Sequence, residues 1–156
     1  MLLSKLLRTE LIRLPLDAEA PMEAISELVD QLVQAHEIPY IKRDDVLDAL
    51  RAHEKAFSSG MRDGIAVPHL ETDKVDDVLC AMGISEKGIP FNTPDDQPVH
   101  IVVLLLAPSR GYALEVETLR DVARTLQEDE VRQQLRAAGT PGGVLDVLRA
   151  VERSSG

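Results

Sequence analysis

Apolar residues recur along this chain with two different periods. Ile12, Leu14 and Leu16 alternate with Arg13 and Pro15, which predicts a short strand, and the proline assigns it to a sheet edge because Pro cannot donate to a ladder. Pro21 stands where a helix can begin. Beyond it Ile25, Leu28, Val29, Leu32 and Val33 follow helical spacing, so one face of that helix packs on a sheet. A second helix is expected over residues 44–55. Asp44 and Asp45 suit the positive end of its dipole, and Val46, Leu47 and Leu50 form a narrower apolar stripe. Residues 57–64 are small, polar and glycine-rich, which reads as a loop leading into a strand, Ile65-Ala66-Val67, that Pro68 ends. Strands follow near residues 77–84 and 99–107, the latter almost wholly apolar, as in a central strand covered on both faces. Residues 88–91 and 93–98 read as turns between them. After Pro108 the period becomes helical again: Val116, Leu119, Val122, Ala123 and Leu126 share a face, and a shorter helix covers residues 131–138. Thr140-Pro141 supplies a cap and first position for a last helix carrying Val144, Leu145, Leu148 and Val151. Helices flank and interrupt the strands, which predicts a single three-layer α/β/α domain over residues 1–156 with a mixed β-sheet.

Composition narrows the classes of function. Apolar residues make up 44% of the 156 and run through the whole length, enough for a continuous core without disulfides. Two Phe, two Tyr and no Trp leave no aromatic platform for stacking bases or sugars. Asp and Glu number 27 against 17 Lys and Arg, and the formal charge of -10 repels phosphate backbones and anionic lipid, so neither nucleic acid nor a membrane surface is expected as a partner. The longest apolar run, residues 101–107, is far below membrane-spanning length, no signal-peptide pattern opens the chain, and a cytoplasmic protein is expected. The single Cys80 lies in an apolar stretch and reads as a buried strand residue.

Four histidines are candidates for chemistry. His36 at a helix end and His100 at the start of the apolar strand read as structural or surface residues. His69 follows a strand closed by proline, where an imidazole is presented rigidly at a sheet end, although from the residues alone a structural histidine fits equally well.

The run Gly64-Ile65-Ala66-Val67-Pro68-His69 resembles the phosphohistidine motif of the fructose, mannitol and nitrogen-regulatory type of phosphotransferase IIA domains. The likeness extends from about Ile12 to Val151: Glu54-Lys55 and Ser58-Ser59 precede the motif, Asp96-Gln97-Pro98-Val99 opens the long strand, and Leu104-Leu105-Leu106-Ala107-Pro108 closes it. Thr118-Leu119, Val122-Ala123 and Leu135-Arg136-Ala137-Ala138 fit most closely the nitrogen-regulatory branch. The resemblance implies transfer of a phosphoryl group from the carrier HPr onto His69, then onward to a IIB acceptor or a regulatory target, with Ser58 and Ser59 near the phosphate and no metal or cofactor. A neutral imidazole suits this, since one ring nitrogen attacks phosphorus while the other stays protonated and hydrogen-bonded.

Two positions depart from the family. His53 stands where an arginine is usual, and the ungapped register puts Glu115 at the place of a second histidine; a shifted register would put Thr118 there. Both exchanges remove positive charge or donors from the moving phosphoryl group. They read either as drifted surface residues or as a compensated pair in which His53 donates to Glu115. A carboxylate beside His69 is expected to favour imidazolium and slow transfer. A metal site from His53, His69 and Glu115 lacks supporting ligand spacing. The leading expectation is thus a phosphocarrier of regulatory type; the alternative is a regulatory binding module that keeps the fold and transfers phosphate poorly.

Overall fold

The computed structural model describes residues 2–110 and 112–155. A short helix α1 (Leu3–Leu6) and a 3-10 turn lead to β1 (Ile12–Arg13), followed by α2 (Pro21–Gln34) and α3 (Arg43–Ala56). The strands β2 (Ile65–Ala66), β3 (His69–Thr72), β4 (Leu79–Ile89) and β5 (Val99–Pro108) come next, then α4 (Tyr112–Thr125), α5 (Asp129–Ala137) and α6 (Pro141–Ser155). The sheet runs β1-β4-β5-β2, with β3 also on β5. Only the β4–β5 pair is antiparallel, so the sheet is mixed. Helices α2 and α3 pack together on one face; α1, α4, α5 and α6 pack together on the other.

Much of this follows from the sequence pattern. Ala24, Ile25, Leu28, Val29 and Leu32 are the buried face of α2, and Pro21 occupies its first turn. Val46, Leu47 and Leu50 do the same for α3. The central β5 is buried from Ile101 to Ala107. Thr140 caps α6, its hydroxyl accepting the Gly143 amide at 3.0 Å. Cys80 lies buried in β4, where desolvation pushes its thiol well above the usual range.

Three departures shape the site. Pro68 interrupts its strand without ending it: β3 continues along β5 in the register that β2 began, Ile65 opposite Ile101 and His69 opposite Leu105. The missing Pro68 N–H and the turning of the Val67 amide to Ser59 break the ladder over these two residues, and the Pro68 carbonyl still accepts the Leu105 amide at 3.0 Å. His69 therefore sits midway along a broken edge strand, not at a sheet end. Second, β4 runs on to Ile89 through a register irregularity after Ile84, across residues expected as a turn. Third, α4 is rotated relative to its apolar stripe. Glu115, Thr118, Val122, Thr125 and Leu126 are buried, whereas Val116 and Leu119 are half-exposed and Ala123 is exposed. The buried threonines satisfy their hydroxyls within the helix, Thr118 Oγ1 on the Leu114 carbonyl at 2.7 Å and Thr125 Oγ1 on that of Asp121 at 2.8 Å.

Candidate functional site

His69 begins β3 and is half-buried. Its Nδ1 lies 2.8 Å from the Val67 carbonyl oxygen. A carbonyl only accepts, so Nδ1 carries the proton and Nε2 keeps its lone pair. The adjoining loop is tied down on several sides. The Glu54 carboxylate at the end of α3 accepts the Ser59 amide at 3.0 and 3.2 Å, and the Ser59 carbonyl accepts the Val67 amide at 3.1 Å. Gly64 turns the chain into β2 with φ +77°, and its carbonyl accepts the His100 and Ile101 amides.

The two serines have different positions. The Ser58 hydroxyl donates to the Asn92 carbonyl at 2.7 Å and accepts the Gly60 amide at 3.2 Å, so it holds the loop. Ser59 Oγ is buried without a hydrogen-bond partner among the described residues and lines the groove that also contains His69. Sequence spacing alone could not separate these roles.

Two openings meet at His69. A groove of about 870 Å³ is lined by Ser58, Ser59, Met61, Val67, Leu119 and Ala123, with Arg62, Arg120 and Arg124 against the single carboxylate of Asp63. It is there that the outward apolar stripe of α4 leads. A cavity of about 470 Å³ is lined by His53, His69, Leu70, Glu71, Glu115, Val116 and Leu119. His69 and Leu119 belong to both.

The structure thus brings His53, His69 and Glu115 together, with the His53 and His69 ring centroids 5.5 Å apart in an edge-on arrangement. No hydrogen bond joins His53 to Glu115 among the described residues, so the donor pair envisaged from sequence is absent. Thr118, the alternative residue at the second-histidine position, is fully buried with its hydroxyl spent on Leu114. Glu115 is 7% exposed, and burial pushes its carboxyl upward; the histidines oppose this and the Glu71 carboxylate adds to it. Glu71 is not legible in the sequence because a proline at position 68 predicts a strand end. Once β3 exists, alternation puts Glu71 on the face of His69. His100 donates Nδ1–H to the Ser85 carbonyl at 2.8 Å and His36 closes α2 at φ 62°, both away from these openings. Among the described residues no cluster of His, Cys, Asp and Glu is arranged to hold a metal ion, and no helix is long and apolar enough to cross a membrane.

An oriented imidazole on a broken sheet edge, where two openings meet beside α4, marks the class of small mixed α/β domain that presents one histidine at a groove. The chain belongs to the family of the phosphoenolpyruvate-dependent sugar phosphotransferase system, EIIA 2, whose sequence profile matches residues 5–151. It is 34% identical over 142 residues to a PTS system fructose-specific EIIA component of Haloferax volcanii, covering 91% of each chain. It is 29% identical over 131 residues to a nitrogen regulatory protein of Pseudomonas aeruginosa, covering 84% of this chain and 82% of the other. Its fold matches the nitrogen regulatory protein IIA-Ntr of Neisseria meningitidis with TM-score 0.83 at 23% identity, over 93% and 97% of the two chains. It also matches Escherichia coli enzyme IIA mannitol, solved in complex with phosphorylated IIB mannitol, with TM-score 0.75 at 22% identity over 92% and 97%.

Proposed function

We infer that this chain is a phosphocarrier that accepts a phosphoryl group from HPr on His69 Nε2 and serves regulation, as in the nitrogen-regulatory branch. The observation that carries the reading is the Nδ1–H bond to Val67, because it fixes the tautomer that leaves Nε2 nucleophilic. In the transfer, the N–P bond of the donor phosphohistidine breaks and its electron pair returns to the donor ring. The Nε2 lone pair forms the new N–P bond. Each ring keeps its other N–H, so atoms and charge balance without a proton leaving the site. Catalysis is in-line positioning and charge stabilisation. Ser59 Oγ, without a hydrogen-bond partner among the described residues, is an uncommitted hydroxyl in the groove that His69 also lines.

The apolar lining of the groove supports docking of a protein donor, since Met61 and Ala123 are exposed there beside the half-exposed Leu119. A IIB protein or a regulatory target is the proposed recipient, and the whole chain is proposed to act as one IIA unit in the cytoplasm. A second reading, a weakened binding module with the same fold, is favoured by His53 in place of a permanent cation and by the carboxyl of Glu115. Incubation with phosphoenolpyruvate, enzyme I and HPr, followed by intact mass, separates the two. One acid-labile phosphoryl group, lost in His69→Gln, supports the carrier; an unlabelled folded protein supports the module.

A further inference from the structure

The cavity of His53, His69, Glu71 and Glu115 poses an electrostatic problem. A dianionic phosphoryl group on His69 Nε2 would adjoin two carboxyl groups, and the positive charges lining this cavity are imidazoles, while Arg62, Arg120 and Arg124 line the other opening. Like charges at such range oppose one another strongly where water is scarce. Glu115 is the more enclosed of the two: it is 7% exposed, whereas Glu71 is exposed. Among the described residues Glu115 makes no hydrogen bond or ion pair, so its charged form is favoured only by the neighbouring imidazoles of His69 and His53, against its burial. The groups that face it are His53 from α3 and His69 and Glu71 from β3; β5, α1 and α6 contribute no residue to the cavity lining.

We propose that Glu115 works as a neutral carboxylic acid that donates a hydrogen bond to the phosphoryl group on His69, and that its ionisation slows phosphoryl acceptance. This rests on His69 being the acceptor. A protonated carboxyl is a donor where a carboxylate is only an acceptor, so one proton converts a repulsive neighbour into a binding one. The proton stays on Glu115 throughout: the N–P bonds exchange as described above, and the O–H contacts an equatorial phosphoryl oxygen. Burial supplies the means, since it opposes the charged form, and an incoming dianion opposes it further. The site thereby reads acidity, with transfer favoured while Glu115 holds its proton and His69 stays neutral.

The test uses the whole chain and phosphoramidate, a small phosphoryl donor that needs no docking surface. His69 labelling is followed by intact mass between about pH 5 and 8 for the natural protein, Glu115→Gln and Glu115→Ala. Ratios between variants at each pH cancel the donor's own titration. The Gln variant keeps a neutral donor, so its rate relative to the natural protein should rise with pH. The Ala variant lacks the donor and should be slower than Gln by about tenfold at every pH, the usual scale for one lost transition-state contact. In phosphorylated protein, the ³¹P resonance of His69 should show a titration step that Glu115→Gln lacks. A Gln-to-natural ratio that is flat with pH, or equal rates for Gln and Ala, overturns the proposal while leaving the carrier reading intact. Absence of label on His69 in the natural protein overturns both.

Discussion

His53 and His69 meet edge-on with ring centroids 5.5 Å apart, one from the last turn of α3 and the other from the first residue of β3. An arginine at position 53 would reach the same cavity with a charge that does not titrate. Replacement of His53 by Arg together with Glu115 by His should therefore speed phosphoryl acceptance at neutral pH about tenfold, corresponding to ~1.4 kcal/mol of transition-state stabilisation. Rapid-quench labelling with phosphorylated HPr measures this. Equal rates across the pH range would make the two natural residues neutral drift.

His69→Gln should remove acid-labile phosphate entirely and leave the fold intact, because the half-buried side chain is held by one local hydrogen bond to Val67. Mass spectrometry with circular dichroism checks both halves. Label persisting on the folded variant would move the acceptor to another residue.

The groove beside His69 should matter to a protein donor and not to a small one. Met61 lines that groove and is 42% exposed, so Met61→Ser removes apolar contact area without touching the core. A rise in KM for phosphorylated HPr of about tenfold is expected if most of that side chain is buried on docking, with phosphoramidate labelling unchanged. An unaltered KM would put the donor elsewhere on the surface.

Glu54 accepts the Ser59 amide with both oxygens, and Ser59 in turn holds Val67. Glu54→Ala should cost about 1.5–3 kcal/mol of stability, the range for a hydrogen bond to a charged group, and should slow labelling by loosening the loop. Urea unfolding gives the first quantity. Unchanged stability would mean that the loop's remaining bonds, from Ser58 to Asn92 and along β2, hold it without Glu54.

The raised Glu115 carboxyl also fixes the sign of a stability change with pH. A group whose folded pKa lies above its unfolded value contributes fully below the unfolded value. That contribution is lost as pH rises through the window up to the folded value. Glu115→Gln should thus melt higher than the natural protein at neutral pH and gain nothing below about pH 4, near the ordinary glutamate value. Calorimetry at the two pH values decides it, and an equal gain at both would assign the effect to packing.

The helices were legible where one face alone is buried. In α2 and α3 spacing, the entry proline and the acidic first turn agree. The short α1 was not legible, because four residues cannot display a helical period; it is fastened by contacts far away in sequence, with the Ser4 hydroxyl donating to Glu152 of α6. The rotation of α4 was hidden for the opposite reason. Of its apolar stripe Val116, Leu119, Val122, Ala123 and Leu126, periodicity assigns all to the core; Val122 and Leu126 are buried and Leu119 packs on the core from a half-exposed position, whereas Ala123 faces out at the groove and polar Glu115 and Thr118 turn inward. His69 was legible as a motif; its tautomer and its neighbour Glu71 were not, since both depend on the course of the chain after Pro68.

The loop of Ser58 and Ser59 has one more effect. It folds back along the outermost strand, Gly60 bridging Ala66, the Met61 amide bonded to the Ile65 carbonyl and the Val67 amide to that of Ser59. Those are the backbone groups that a free strand would offer to another molecule. A Cβ at Gly60 would come within 2.7 Å of the Asn92 carbonyl oxygen, so a larger residue there would lever the loop away. The segment that shapes the groove at His69 is thus also the selvedge of the sheet, and damage to it would first show as self-association in solution.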